Sequence, residues 1–146
     1  MAGSHSTIVD LEHRAYAIRE DIIRMLEHAG SGHSAGPLGL AELVTTLYFD
    51  VMKFDPKKPE WGERDYFFLS NGHCVPVQYV AMAHAGFFDR DELKTLRKLG
   101  TRLQGHPERK KLPGLENTSG PLGSGLSQAA GVAYTLQYLD KNPKRF

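Results

Sequence analysis

A single short segment of the chain has the pattern of a β-strand. Tyr66-Phe67-Phe68-Leu69 is an aromatic and aliphatic run that follows a polar loop and precedes the turn Ser70-Asn71-Gly72-His73. One strand cannot make a sheet, so this segment predicts the opening of a βα unit whose partner strands lie elsewhere. Lys144-Arg145-Phe146 is expected to lead into a second strand. We therefore predict an α/β fold that is incomplete and mostly helical over this stretch.

The remaining pattern is helical. Apolar residues at steps of three and four form one stripe from Ile8 to Leu26, which predicts a helix of about five turns. Thr7 and Asp10 have the spacing of a capping box, and Gly30 is expected to end the helix. Further helices are predicted to start near Pro37, Pro76, Asp89 and Ser124.

Composition limits the possible partners. The chain has 146 residues with 18 Lys and Arg against 17 Asp and Glu, so its net charge of +1 gives no electrostatic case for nucleic acid or membrane. No apolar run approaches the roughly 20 residues that span a bilayer. Cys74 is the single cysteine, which excludes an internal disulfide and favours a cytoplasmic location. Residues 1–7 form a small, polar tail that we interpret as partly a cloning remnant, and residues 8–146 form part of one domain.

Three histidines in short glycine-containing turns carry the chemical interest. They are His33 in Gly32-His33-Ser34, His73 in Asn71-Gly72-His73 and His106 in Gly105-His106-Pro107-Glu108, and a fourth phrase follows as Ser119-Gly120-Pro121-Leu122-Gly123-Ser124-Gly125. Glycine lets backbone N–H groups approach a ligand, and imidazole moves protons near neutral pH. Several such turns predict a pocket for a phosphorylated ligand that undergoes proton transfer.

Each phrase alone also has an ordinary structural explanation. His73 fits a plain turn as well as a phosphate contact at a helix start, and His33 and His106 fit surface turns. The Gly-x-x-Gly-x-Gly spacing of residues 120–125 is neither a dinucleotide fingerprint nor a Walker loop. No histidine pair with an acidic partner has the helical spacing of a metal site. A nucleophilic role for Cys74 is the weakest of these hypotheses.

In this order and at these distances, the phrases resemble the N-terminal region of transketolases. The first motif is matched by residues 31–39, the second by residues 68–73, and the third by residues 105–108 together with residues 119–125. The resemblance runs from about Ile8 to Phe146. Gly72-His73-Cys74-Val75-Pro76 and the following Tyr79 are closer to split transketolases, in which this chain would be the N-terminal subunit.

The resemblance implies the diphosphate-binding half of a thiamine diphosphate enzyme that also uses Mg²⁺ or Ca²⁺. Such an enzyme transfers a two-carbon ketol unit from a ketose phosphate to an aldose phosphate in the pentose phosphate pathway. It would act as a homodimer or with a C-terminal subunit in a heterotetramer. The metal ligands, in an acidic Gly-Asp-Gly segment, and the activating glutamate are expected outside this chain.

The same resemblance assigns roles to individual residues. His33 and His106 would be catalytic and contact the sugar substrate, whereas the cofactor would be bound by His73, Gly120, Pro121 and Leu122. Ala35-Gly36 and Cys74-Val75 depart from the usual family pattern and put the local loop shape in doubt. Two alternatives remain open: a truncated fragment with only an assembly role, or a related thiamine diphosphate enzyme such as 1-deoxyxylulose-5-phosphate synthase.

Overall fold

The computed structural model describes residues 6–142, and within that range all regular structure is helical. The α-helices are α1 (Ile8–Ala29), α2 (Ala35–Gly39), α3 (Ala41–Thr46), α4 (Val75–His84) and α5 (Ser124–Tyr134). Two π-helical turns, Leu47–Val51 and Thr135–Leu139, continue α3 and α5, and two 3₁₀ segments are formed by Gly72–Cys74 and Arg90–Thr95. Most of the predicted tail of residues 1–7 and the predicted strand lead at Lys144–Phe146 lie outside the described residues.

The predicted strand at Tyr66–Leu69 is wrong for this range, because no β-strand occurs between residues 6 and 142. A strand exists only where a neighbouring strand accepts its backbone hydrogen bonds. Here the side chain of Asn117 serves that purpose for Leu69: the Leu69 N–H donates to Asn117 Oδ1 at 3.3 Å, and Asn117 Nδ2 donates to the Leu69 carbonyl at 3.1 Å. Among the residues described, the segment therefore has no neighbouring strand.

Helix α1 confirms its predicted start and end. Thr7 and Asp10 form a complete capping box, and Gly30 closes the helix with a left-handed φ of 63°. Its inner face carries Ile18 and Ile22, both fully buried, and each such side chain contributes about 1.5–3 kcal/mol relative to an exposed position. Ile8, the first residue of the predicted stripe, is exposed instead.

Helix α4 lies at the centre of the domain. Every residue from Val75 to Ala83 is buried, and α4 packs against α1, α3 and the Arg90–Thr95 segment. A helix that is covered on all sides fixes the position of the turn that precedes it. The Asn-Gly-His phrase is therefore held by the core of the domain.

A polar cluster joins α1 to α4 at the edge of this core. His84 Nε2 donates to Asp21 Oδ2 at 2.7 Å, and Arg90 Nη2 donates to the same oxygen at 2.6 Å. Burial raises the pKa of Asp21, but the hydrogen bonds and charges of His84 and Arg90 outweigh that effect and hold the pKa below its ordinary value. Asp21 therefore stabilises the domain as a carboxylate.

The long loop predicted at residues 100–118 contains no helix or strand, as expected. It is nevertheless part of the core, since Leu103, Leu112 and Leu115 are buried, whereas residues 109–111 are exposed. Buried side chains at these points explain how a loop of this length keeps one shape. Among residues 6–142, no helix is both long and apolar enough to cross a bilayer.

Candidate functional site

The turn before α2 and the turn before α4 bring two of the three histidines together. The ring centroids of His33 and His73 lie 5.0 Å apart, and the ring planes are inclined by 57°. His33 is exposed and His73 is half-buried. Beneath them, Gly36 lies so close to the Cys74 sulfur that a Cβ at residue 36 would collide with it. The first two phrases therefore form one continuous surface.

Two further glycines join the second phrase to the fourth. A Cβ on Gly72 would lie 2.6 Å from Oγ and 2.8 Å from the carbonyl oxygen of Ser119. A Cβ on Gly125 would lie 2.6 Å from Cα and 3.0 Å from N of Ser70. Backbone atoms cannot move aside as the end of a flexible side chain can, so both positions require glycine. The Asn-Gly-His turn and the start of α5 are thus in direct contact.

The third phrase is connected through the backbone. The N–H of Ser119 donates to the Pro107 carbonyl at 3.3 Å, and the Tyr79 hydroxyl of α4 donates to the Gln104 carbonyl at 3.0 Å. His106 lies between these two anchors and is exposed. Within residues 6–142, no hydrogen bond or ring contact joins His106 to the other two histidines. The structure therefore unites phrases one, two and four directly and ties phrase three to them by its main chain.

The fourth phrase presents an open surface. Neither Gly120 nor Gly123 has any neighbouring atom within 4 Å of the position that a Cβ would occupy. Pro121 is exposed, and Leu122 exposes 73% of its surface. Ser124 Oγ donates to the Pro121 carbonyl at 2.9 Å, which fixes the turn at the start of α5. Backbone groups and an apolar side chain are therefore both accessible to a flat, partly polar ligand.

A buried ion pair holds the segment that leads into the fourth phrase. Arg64 Nε and Nη2 donate to the two Glu116 oxygens at 2.9 and 3.0 Å, and the two side chains are only 9% and 6% exposed. Burial raises the pKa of Glu116, whereas the bidentate contact with Arg64 opposes that shift by favouring the carboxylate. The pair anchors residue 116 beside the segment that ends in the Asn-Gly-His turn.

Sequence reasoning missed Arg64, Glu116 and Asn117. The partners in the ion pair are 52 residues apart, so no periodic pattern marks them. The available signal was local: the charged and amide residues Glu116 and Asn117 directly follow the apolar Leu115 inside a loop that was expected to be functional. A polar pair in that position needs buried partners.

Comparison with known proteins identifies the family. The family described as transketolase, thiamine diphosphate binding domain, matches residues 11–144. The chain belongs to the transketolase family. It is 40% identical over 129 residues to a 6-deoxy-6-sulfo-D-fructose transketolase subunit of a Clostridium species, covering 88% of this chain and 47% of that protein. It is 42% identical over 131 residues to the chloroplastic transketolase of Solanum tuberosum, covering 88% of this chain and 18% of the relative.

Solved transketolase structures agree with this assignment. Transketolase from Leishmania mexicana superposes with a TM-score of 0.85 and 37% identity, over 93% of this chain and 20% of that one. The predicted fold, a mostly helical stretch of the thiamine diphosphate-binding domain, is thereby confirmed. The chain spans between about a fifth and about half of the length of these relatives.

The residues around the Asn-Gly-His turn and the start of α5 fit thiamine diphosphate, the cofactor of the matched family. The buried Ser119 hydroxyl, beside Gly72, has no hydrogen-bond partner among the residues described. A polar atom in that state indicates a place where a ligand or water completes the bonding. The half-buried His73 imidazole can donate to a diphosphate, and the exposed Leu122 offers an apolar surface to an aromatic ring.

The residues described offer neither a cluster of metal ligands nor a reactive thiol. Between residues 6 and 142, no group of three or more His, Cys, Asp or Glu side chains could hold a metal ion. Cys74 is buried, and its burial raises the pKa of the thiol. A buried thiol of raised pKa is a poor nucleophile. This agrees with the sequence analysis, in which a nucleophilic Cys74 was the weakest hypothesis.

Proposed function

We propose that this chain is the diphosphate-binding part of a transketolase that transfers a two-carbon ketol unit from a ketose phosphate to an aldose phosphate. The observation that carries the proposal is the continuous surface formed by His33, His73 and the open turn at Gly120–Leu122. Glycine contacts that tolerate no side chain hold this surface together. Glycine loses more conformational entropy on folding than other residues do. A cluster that requires several glycines therefore favours a binding site over a chance arrangement of turns.

His73 would hold the cofactor diphosphate. It lies in the 3₁₀ turn Gly72–Cys74 that runs directly into α4, so the buried helix fixes the position of the His73 ring. An imidazole can donate a hydrogen bond to a phosphate oxygen. Because α4 is buried on all sides, the turn that carries His73 does not have to be ordered when the ligand binds.

Gly120, Pro121 and Leu122 would contact the rest of thiamine diphosphate. The open backbone at Gly120 allows close approach, and the exposed Leu122 side chain offers an apolar surface for an aromatic ring. When bound, the cofactor supplies the electron sink that C–C cleavage of a sugar requires. The residues of this chain bind it, orient it and handle protons.

His33 and His106 would bind the sugar and move its protons. Both side chains are exposed, and an imidazole near neutral pH can take a proton from a hydroxyl and return it. Proton transfer of this kind typically contributes about 10²–10⁴-fold to a rate. His33 lies beside His73, so its role would be exercised next to the bound cofactor.

The enzyme would also need groups beyond the residues that the structure describes. We expect Mg²⁺ or Ca²⁺ as second cofactor, and a homodimer or a C-terminal partner subunit in a heterotetramer, in the cytoplasm. Helix α5 supports a partner, because Leu126, Tyr134 and Tyr138 are exposed along it and its π-helical end. The Clostridium relative is itself named as a subunit, which supports the split arrangement.

Two measurements test the proposal. Isothermal titration of the chain with thiamine diphosphate and Mg²⁺ should release heat, and His73→Ala should weaken binding by about tenfold or more, since a charge-assisted hydrogen bond is lost. His13→Ala, an exposed histidine on α1, is the matched control and should bind normally. Absence of heat in the parent chain would support the inert-fragment alternative.

The second measurement identifies the donor. In the complete enzyme that contains this chain, a ketose phosphate should support transfer to an aldose phosphate. Turnover of pyruvate in its place would favour the 1-deoxyxylulose-5-phosphate synthase alternative. The Clostridium relative makes sulfonated ketoses a sensible addition to the donors assayed.

A further inference from the structure

A strained turn lies shortly before His106. Leu96 and Arg97 are the central residues of a turn that closes when the Lys98 N–H donates to the Thr95 carbonyl at 3.0 Å. Leu96 has φ −47° and ψ 129°, and Arg97 has φ 63°. These are the angles of a type II turn, whose third position favours glycine or asparagine because φ is positive there. Arg97 adopts this conformation against its intrinsic preference.

The Arg97 side chain extends from this turn onto the His106 loop. A Cβ on Gly105 would lie 2.6 Å from Nε, 3.1 Å from Nη2 and 3.2 Å from Cζ of Arg97, so the guanidinium covers the Gly105 backbone. The Arg97 N–H also donates to the Leu103 carbonyl at 3.0 Å. Arg97 thus contacts the loop on both sides of Gln104.

The guanidinium has no carboxylate partner in the part of the chain that the structure describes. In contrast, Arg64, Arg90 and Arg102 each pair with a carboxylate. An exposed, unpaired arginine in a strained conformation contributes little to the fold by charge. The turn conformation of Arg97 instead places its guanidinium against Gly105.

The contact between Arg97 and Gly105 matters because of where Gly105 and His106 lie in the loop. On one side the Tyr79 hydroxyl holds Gln104, and on the other Ser119 holds Pro107. Between these anchors, Gly105 and His106 form no backbone hydrogen bond with any other described residue. The Arg97 guanidinium supplies the atoms that lie nearest to the Cβ position of Gly105, in the peptide that precedes His106.

We propose that Arg97 is a positioning residue for His106. Its guanidinium orders the Gly105–His106 peptide so that the imidazole is presented from one backbone conformation. The catalytic value of that order rests on the proposed function, in which His106 handles substrate protons. The ordering itself is a property of the chain without any ligand, so the two are measured separately.

The structural test uses variants that separate strain from contact. Arg97→Gly adopts the same φ without strain and lacks the guanidinium, so the chain should be at least as stable to urea. The backbone order parameters of Gly105 and His106 should nevertheless fall from about 0.85 to below about 0.6. Gly105→Ala keeps Arg97 but displaces its guanidinium, and should give the same loss. Lys98→Ala, the adjacent exposed cation, is the control and should change neither measurement.

The functional test uses the complete enzyme. Arg97→Gly should lower kcat by about tenfold or more, with the half-saturating cofactor concentration changed by less than about twofold, because only the orientation of one group is lost. Unchanged order parameters in Arg97→Gly would overturn the proposal. A general loss of stability that loosens the whole loop would also overturn it, since that is the outcome for a merely structural arginine. If no ketol transfer is found at all, the order parameters still decide the role of Arg97.

Discussion

The Asn117 side chain occupies the place of a neighbouring strand for Leu69. Its amide oxygen and nitrogen bond both backbone groups of one residue, at 3.3 and 3.1 Å, as an antiparallel partner residue would. Both residues are buried, so neither group has water as an alternative partner. One amide therefore fixes the loop that leads into the fourth phrase against the segment that leads into the second.

Removal of that amide should be costly. Asn117→Ala leaves the buried N–H and carbonyl of Leu69 unpaired, and we expect the free energy of unfolding to fall by about 2–3 kcal/mol. Urea unfolding measures this loss. The control is Thr118→Ala, whose exposed hydroxyl accepts one hydrogen bond from the Arg109 N–H, and its effect should stay within about 0.5 kcal/mol. Equal losses in the two variants would contradict the role given to Asn117.

Gly72 should tolerate no side chain. Gly72→Ala places a Cβ 2.8 Å from the Ser119 carbonyl oxygen, which must shift and thereby separate the second phrase from the fourth. We expect a loss of stability of about 1–3 kcal/mol and a loss of thiamine diphosphate binding. Gly131→Ala on α5 is the control, because no atom lies within 4 Å of its Cβ position. The Gly131→Ala change should stabilise the chain by about 0.5–1 kcal/mol. If Gly72→Ala leaves the stability unchanged, the close contact between Gly72 and Ser119 has room to relax.

His73 and His106 should affect different kinetic constants. If His73 binds the diphosphate, His73→Ala in the complete enzyme raises the half-saturating cofactor concentration by about tenfold or more. His106→Ala should lower kcat by about 10²–10⁴-fold with cofactor affinity retained, because proton transfer is lost and binding is not. Steady-state kinetics with cofactor titration measures both. Unchanged turnover in His106→Ala would remove that histidine from the mechanism.

The cluster at Asp21 should make stability depend on pH. The pKa of Asp21 is lower in the folded chain than its ordinary value of 3.8, so the fold binds this proton less readily than the unfolded chain does. The stability that it contributes is fully present above that ordinary value and is lost as the pH falls through the lowered one. In urea unfolding at about pH 5, the free energy of unfolding of the parent should exceed that of Asp21→Asn. The difference should shrink as the pH falls to about 2.

A control for the pH experiment is Glu27→Gln, an exposed carboxylate on the same helix. Its difference from the parent should not follow the pattern seen for Asp21→Asn. A parent advantage over Asp21→Asn that persists unchanged at the acidic end would show that His84 and Arg90 stabilise the fold without requiring the charge of Asp21.

Local rules predicted the parts of the fold that depend on neighbouring residues. The capping box of Thr7 with Asp10 and the glycine end of α1 need only contacts within one helix, and both are present. Several glycine–histidine turns predicted a shared pocket, and the structure brings His33 and His73 together. The separate roles of the two histidines came only from the family resemblance and stay predictions.

Contacts between distant residues could not be predicted in this way. Tyr66–Leu69 has the composition of a strand, but composition does not state whether a partner strand is within reach. The Arg64–Glu116 pair and the contact between Arg97 and Gly105 depend on how loops meet, which no period in the sequence encodes. The close approach of Gly72 to Ser119 belongs to the same class.

The buried leucines of the long loop have a consequence for how the gene can change. Leu103, Leu112 and Leu115 are fixed in the core, so insertions or deletions next to them would disturb the packing of the loop that carries His106. Arg109-Lys110-Lys111 is the exposed stretch between the first two of them, and length variation among relatives should be concentrated there. Trypsin should cut the folded chain at these basic residues first, and the two pieces should remain associated through the leucines on either side.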